Sequence, residues 1–391
     1  MAHDGGMENQ AAEPHKDPKP IIGVVGLGTM GLGIVQLFLM AGFRVIATDA
    51  YAPVLTTAPM RLAAVLDARI HAGKLTYDAR NVAMRHLRLV ASPADMGRAG
   101  LVIEAIVEKL AAKRALFAEL EQVLAPDAVL ATNTSSLSVA AVADGLANPE
   151  RVVGLHFFNP APVMQLVEVI GHSGTLASAM ARARNATEAA GKTVIAAPDR
   201  PGFIVNRCAR PYYGEALAML EEGIPAPDID AAMLAAGYKI GPFALMDLIG
   251  VDINLAATEG LSAAMGGHPR YHVFDALRAQ VASGNWGRKT GHGFVLPGAL
   301  ASVPKNASDI ALRIEATLIN EAASLLDETG VSADGIDTAM RLGLNFPHGP
   351  FAALRSHGQA RILAVLAGLE ARAPAHLRGR YLASVALMEM R

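Results

Sequence analysis

The sequence is short of the residues that build covalent or metal frameworks. One cysteine, Cys208, stands among 391 residues, which excludes an internal disulfide and a cysteine-rich metal site. That scarcity fits a reducing, cytoplasmic setting. An excess of either charge is also missing, since 34 basic residues face 36 acidic ones for a net charge of −2. The electrostatic footprint of a nucleic-acid binder is therefore absent. Charged residues make up only 18%, against 52% apolar, a balance that fits a compact α/β or helical protein rather than a disordered one. Residues 1–20 are polar and proline-containing, lack the apolar core of a signal peptide, and read as a disordered leader. The length leaves room for two or three domains.

What the chain does have begins at residue 21. By hydropathy alone, residues 21–49 resemble a membrane anchor broken only by Arg44. The pattern speaks against that, and no membrane partner is expected. A short apolar run is followed by Gly26-Leu27-Gly28-Thr29-Met30-Gly31. A helical stretch, Gly42, a second apolar run and Asp49 come next, with the acid 18 residues beyond Gly31. Strand, glycine turn, helix, strand and acid are the parts of a dinucleotide-binding βαβ unit. Gly26 permits the tight turn, Gly28 admits a pyrophosphate, and Gly31 lets helix and strand pack closely. Asp49 would accept hydrogen bonds from the adenosine ribose and repel a 2′-phosphate, which favours NAD over NADP.

Further along, helical periodicity over 53–73, 76–85 and 109–124 alternates with apolar runs at 87–90, 101–106 and 128–132. This alternation predicts a Rossmann-type, doubly wound parallel sheet. Residues 151–158 and 163–170 read as two strands joined by Asn159-Pro160-Ala161-Pro162, followed by a helix over 175–191 and a last strand over 192–196. Pro198-Asp199-Arg200-Pro201-Gly202 is a breaker suited to a hinge, and everything after it reads as helix. The helical part repeats itself. Arg207, Glu215-Ala216, Ile229-Asp230 and Gly241-Pro242-Phe243-Ala244 recur as Arg313, Glu321-Ala322, Ile336-Asp337 and Gly349-Pro350-Phe351-Ala352, offset by 106 to 108 residues. The expected organisation is a leader over 1–20, a nucleotide-binding domain over 21–200, a first all-α domain over 201–296, and a linker with a second all-α copy over 297–391.

If 151–158 and 163–170 pair as an antiparallel hairpin, its midpoint is Pro162, and His156 and Glu168 lie equally far from it. They would face each other, with the carboxylate fixing the ring and leaving its other nitrogen to take a proton. A buried histidine with a satisfied partner is the plainer reading of the same spacing. Likewise, Ser135 in Asn133-Thr134-Ser135-Ser136 is able to serve as a simple helix cap.

GLGTMG at 26–31, EAIVEKLAAK at 104–113, TNTSSL at 132–137, GLHFFNPAPVMQLVEVI at 154–170, PGFIVNR at 201–207, GPFALMD at 241–247 and KTGHGF at 289–294 occur in one order. Together with Asp49 they make the chain similar to the L-3-hydroxyacyl-CoA dehydrogenase family over residues 21–296. The likeness extends to its 3-hydroxybutyryl-CoA dehydrogenase-like members with tandem helical domains. The resemblance implies NAD-dependent oxidation of an L-3-hydroxyacyl-CoA to a 3-oxoacyl-CoA, and its reverse, in acyl-CoA catabolism, with no metal. It implies His156 as the base, Glu168 as its partner, Ser135 on the substrate oxygen, and Asn206 polarising the substrate from the helical side. Gly26, Gly28, Met30, Gly31, Asp49, Glu108, Lys113, Ser135, Asn159 and Lys289 would contact the cofactor. Arg61, Arg69 and Lys74 are the basic candidates for the CoA phosphates. Leu312 takes the place of Asn206 in the second copy, so that copy is expected to catalyse nothing. It would cover the surface through which single-copy members dimerise, giving a monomer with an internal pseudo-dimer, the alternative being a homodimer. Two other functions stay open: a dehydrogenase of a free hydroxy acid, as in gulonate- or carnitine-oxidising relatives, and a non-catalytic NAD-binding protein.

Overall fold

The computed structural model describes residues 19–298, 301–326 and 331–390. All but the last two residues of the expected leader lie outside these, as do 299–300 of the expected linker and 327–330 and 391 of the expected second copy.

The chain opens as β1 (Ile22–Val25), α1 (Thr29–Met40) and β2 (Val45–Thr48), then α2 (Ala52–His71), α3 (Tyr77–Arg85) and β3 (Leu87–Leu89). β4 (Leu101–Glu104), α4 (Leu110–Val123), β5 (Val129–Thr132), α5 (Val139–Ala143), β6 (Val152–Phe157), β7 (Leu166–Gly171), α6 (Ala177–Ala189) and β8 (Thr193–Pro198) complete one eight-stranded sheet. Its order is β3-β2-β1-β4-β5-β6-β7-β8, and every neighbouring pair is parallel except β6 with β7. β1, β2, β4 and β5 are buried at every position, because helices cover both faces. The suspected membrane segment is thus a strand, a 12-residue helix and a strand. Among the described residues no helix is long and apolar enough to cross a membrane.

Alternate strand residues feed two cores. Ile22, Val24, Val45, Ile103 and Leu155 face α1, α2 and α6. Val102, Leu130, Val152 and Leu166 face α4, α5 and the helical region, so one core runs on from the sheet into the second half of the chain. That half comprises α7 (Val205–Cys208), α8 (Arg210–Glu221), α9 (Ala226–Ala235), α10 (Pro242–Ile249), α11 (Val251–Ala264) and α12 (Asp275–Ala282). It continues as α13 (Ala307–Leu326), α14 (Ala333–Leu344), α15 (Pro350–His357), α16 (Gln359–Arg372) and α17 (Val385–Glu389). The 20-residue α13 lies at the centre, packed on α8, α9, α15, α16 and α17.

The largest shift of an expected boundary is at β7. β7 begins at Leu166 rather than 163, because the amides of Val163 and Met164 donate to Pro160 O and belong to the turn.

Candidate active site

At the glycine turn, a Cβ on Gly31 would lie 1.7 Å from Gly26 O, and one on Gly26 (φ +94°) would lie 2.6 Å from Ala105 O. Both positions are closed to any side chain. Gly28 is different, with nothing within 4 Å of its Cβ position. It caps α1 with no side-chain hydrogen bond, and no acid stands in the first turn. The first amides of α1, Met30 among them, therefore have no side-chain acceptor from the cap or from an acid of the helix's own first turn. Asp49 sits beside them, its carboxylate accepting from Leu27 N at 2.7 Å and Tyr51 N at 2.8 Å. Arg61 is used in building this turn, donating to Leu27 O and Val54 O.

The loop after β5 is held from two sides. Below it, Glu108 accepts from Thr134 Oγ1, from Ser135 N and Ser136 N at 3.1 and 3.3 Å, and from Ser136 Oγ at 2.9 Å. Burial alone would raise the Glu108 carboxyl, but Thr134, Lys113 and Ser136 together outweigh it and hold the group below the usual glutamate range. Lys113 is buried, 2.6 Å from fully buried Glu104 and 3.1 Å from Glu108. From the hinge side, Asp199 accepts from Ser138 Oγ at 2.9 Å and from the amides of Val139 and Ala140 at 2.9 and 2.8 Å.

On the neighbouring hairpin, His156 pairs with Glu168 in register. Nδ1 of the ring is 2.6 Å from Glu168 Oε2, and Glu168 is fully buried. Its other oxygen accepts from the amides of Ile204 and Val205 at 3.0 and 2.9 Å, at the entrance to α7. An ionised carboxylate only accepts, so the neutral ring carries its proton on Nδ1 and keeps the lone pair on Nε2. Phe158 and Phe203 flank the ring at 4.5 and 5.7 Å. Asn206 closes the cluster, its Nδ2 donating to Ser135 O at 3.3 Å.

The structure thus brings His156, Glu168, Asn206, Ser135, Glu108 and Lys113 into one connected set beside the glycine turn. Asn159 is exposed in the hairpin turn, which with α1 and α2 lines a cleft of about 470 Å³ that also includes Arg69. Lys289 is placed differently, since its ammonium is held by both oxygens of Asp252 and lies over Trp286, all in the helical region.

The NAD-binding domain model of 3-hydroxyacyl-CoA dehydrogenase matches residues 21–200, and the family's C-terminal domain model matches 202–296 and 310–390. The chain belongs to the 3-hydroxyacyl-CoA dehydrogenase family. It is 34% identical to 3-hydroxyadipyl-CoA dehydrogenase of Escherichia coli K12, across 89% of this chain and 93% of the relative. It is 38% identical to 3-hydroxybutyryl-CoA dehydrogenase of Mycobacterium tuberculosis, across 70% and 96%. The crystal structure of 3-hydroxybutyryl-CoA dehydrogenase from E. coli K12 superposes with a TM-score of 0.87 at 33% identity, covering 95% of this chain and 98% of that one. As a 3-hydroxyacyl-CoA dehydrogenase the protein is an oxidoreductase with NAD as its cofactor. The open, uncapped start of α1 and the carboxylate of Asp49 suit a pyrophosphate and a ribose.

Two groups of this dehydrogenase escaped the sequence reading. Asp199 was visible only as part of a breaker, and nothing local tied it to 138–140. Glu104 stood inside EAIVEKLAAK, but its role as the buried partner of Lys113 depends on β4 and α4 being packed together.

Proposed function

We propose that the chain interconverts L-3-hydroxyacyl-CoA and 3-oxoacyl-CoA with His156 as the proton-transfer group. The observation that carries this reading is the His156–Glu168 pair, with Nε2 turned away from the carboxylate and Asn206 joined to Ser135 beside it. The Ser135 hydroxyl and the Asn206 amide hydrogen-bond the C3 oxygen. His156 Nε2 takes the hydroxyl proton on oxidation and returns it on reduction, while Glu168 holds Nδ1–H and steadies the ring as it becomes charged. NAD, when bound, supplies the hydride acceptor at C3. Gly26, Gly28, Met30 and Gly31 shape its pyrophosphate site, Asp49 its ribose site, and Glu108, Lys113, Ser135 and Asn159 the path toward the nicotinamide. Lys289 would join them from the helical region, where Asp252 holds its ammonium.

The same proposal divides the molecule into a nucleotide-binding unit over 21–200 and two helical copies over 201–296 and 297–391. Reciprocal contacts support it: Arg207 reaches Glu321 at 2.7 Å, and Arg313 reaches Glu215 at 2.7 Å. The second copy then occupies the surface a partner subunit would cover, and the protein is a monomer with an internal pseudo-dimer. A solution mass showing a dimer paired through the first copy would sink that part. A cytoplasmic setting without nucleic-acid partners completes the reading.

Purified protein should consume NADH with acetoacetyl-CoA, and His156→Ala should cut kcat by roughly 10² to 10⁴ while leaving NADH binding in place. Turnover of free hydroxy acids alone would replace the acyl-CoA reading. NADH binding without any turnover would point to a sensor.

A further inference from the structure

In the segment that leads from the hinge into the helical region, residues 203–213, every position is buried except Asn206 and Arg210. Asn206 lies in α7 and Arg210 opens α8, and the two adjoin, since Arg210 Nε donates to Asn206 O at 3.2 Å. Asn206 is the residue that meets Ser135 across the cleft. Arg210 is thus the next side chain along the same strip.

The surroundings of Arg210 are unusual for an enclosed cation. Arg207, Arg313 and Arg380 each reach a buried glutamate. Arg210 donates from Nε to Asn206 O at 3.2 Å and from one Nη to Thr258 Oγ1 at 3.0 Å, and lies 4.9 Å over the ring of Tyr213. No carboxylate among the described residues pairs with it. A guanidinium has five N–H donors, so three remain uncommitted. Burial pushes the group down and Tyr213 offsets that only in part, as expected for a charge taken from water without a counter-ion. Such a charge is expensive to retain unless something else brings the anion. The space beside the guanidinium, bounded by Arg210, Tyr213, Leu217, Thr258, Arg270 and Tyr271, amounts to about 10 Å³, room for one water and not for a longer chain.

We propose that Arg210 receives a carboxylate at the far end of the acyl group, making the preferred substrate a short dicarboxylic 3-hydroxyacyl-CoA. This rests on the reading that the C3 oxygen binds at Ser135, His156 and Asn206. An acyl chain that leaves C3 along this half-buried strip reaches Arg210 after a few carbons and stops there. The planar guanidinium offers the paired donors that a carboxylate accepts in bidentate fashion. A neutral acyl end of equal length would leave the cation uncompensated in the closed site.

The test compares 3-oxoadipyl-CoA with 3-oxohexanoyl-CoA, thioesters of equal chain length, in NADH-linked assays of the full chain. The wild-type protein should favour the dicarboxylic substrate in kcat/KM by roughly 10- to 100-fold, the range of a charge-assisted hydrogen-bonded pair. In Arg210→Met that ratio should fall to near one, and Arg210→Lys should retain part of it. A wild-type ratio near one would overturn the proposal even if the variants fail to fold. So would an equal loss on both thioesters in Arg210→Met, which would assign the cation to the shared CoA portion. Consumption of NADH with neither thioester would instead overturn the underlying reaction, and this proposal with it.

Discussion

The two helical stretches matched by the same family model, 202–296 and 310–390, have much in common and one decisive difference. In each, a buried aspartate caps the helix that opens with Gly-Pro-Phe-Ala. Asp230 accepts from the amides of Phe243 and Ala244, and Asp337 from those of Phe351 and Ala352. A Cβ on Gly241 or Gly349 would strike that aspartate at 2.3 Å. Each stretch also buries a glutamate that is satisfied by the other stretch. Glu321 takes Arg207, Arg270 and the Tyr271 hydroxyl, while Glu215 takes Arg313, Arg380 and the Tyr381 hydroxyl. The difference lies at the front. In the first stretch, Gly202 and Phe203 (φ +76° and +48°) turn the chain out of β8, and two amides reach Glu168 as α7 begins. In the second, α13 runs unbroken and its Leu312 is buried where Asn206 faces the cleft. Packing can thus be copied wholesale, whereas chemistry depends on what the copy adjoins.

The exchange of glutamates is the sharpest place to break that likeness. Glu321→Gln and Glu215→Gln each remove a fully buried carboxylate from a cluster of two arginines and a tyrosine hydroxyl, a loss of about 3–5 kcal/mol. Urea unfolding should show near-equal drops in the two variants. A large drop in one and none in the other would mean that the two stretches are not energetic twins.

The next test separates chemistry from packing. Asn206→Leu should lower kcat/KM by roughly 10- to 100-fold with little change in unfolding midpoint, as for loss of one polarising hydrogen bond. Leu312→Asn should do the reverse, costing about 1–3 kcal/mol of stability by burying an unpaired amide and leaving kcat/KM intact. An activity loss in Leu312→Asn would show that the second stretch serves the site after all.

The smallest effect belongs to the loop that only the first stretch meets. Glu108 has its folded pKa depressed, so its hold on the Ser135 loop is fully present above the ordinary value of 4.5 and is lost as pH falls through the lower folded value. NADH affinity of the wild type should therefore weaken on the acid side of pH 4.5. Glu108→Gln should bind more weakly at neutral pH and lose that acid-side dependence. An unchanged profile in the variant would remove Glu108 from the account.

Much of this was legible from local pattern. Counting outward from Pro162 placed His156 opposite Glu168, because strand registry preserves equal distances from a turn. The βαβ start was readable because glycine spacing, apolar runs and an acid all follow from one short geometry. Contacts that join distant segments were not. Asp199 meets residues 138–140 only after the sheet has formed, and Lys289 meets Asp252 only after α11 is in place. The Arg-Tyr dipeptides at 270–271 and 380–381, 110 residues apart, fell outside the repeat read from the sequence, and their partners lie in the opposite stretch.

Glu168 has one further consequence, for variation. Two of the three groups that hold it are backbone amides, those of Ile204 and Val205. Main-chain donors are indifferent to the side chains they carry. Substitutions at 204 and 205 that preserve volume should leave the alignment of His156 undisturbed, while proline at either position removes a donor outright. The link between His156 and the helical region is thus written in a part of the chain that mutation can rarely edit.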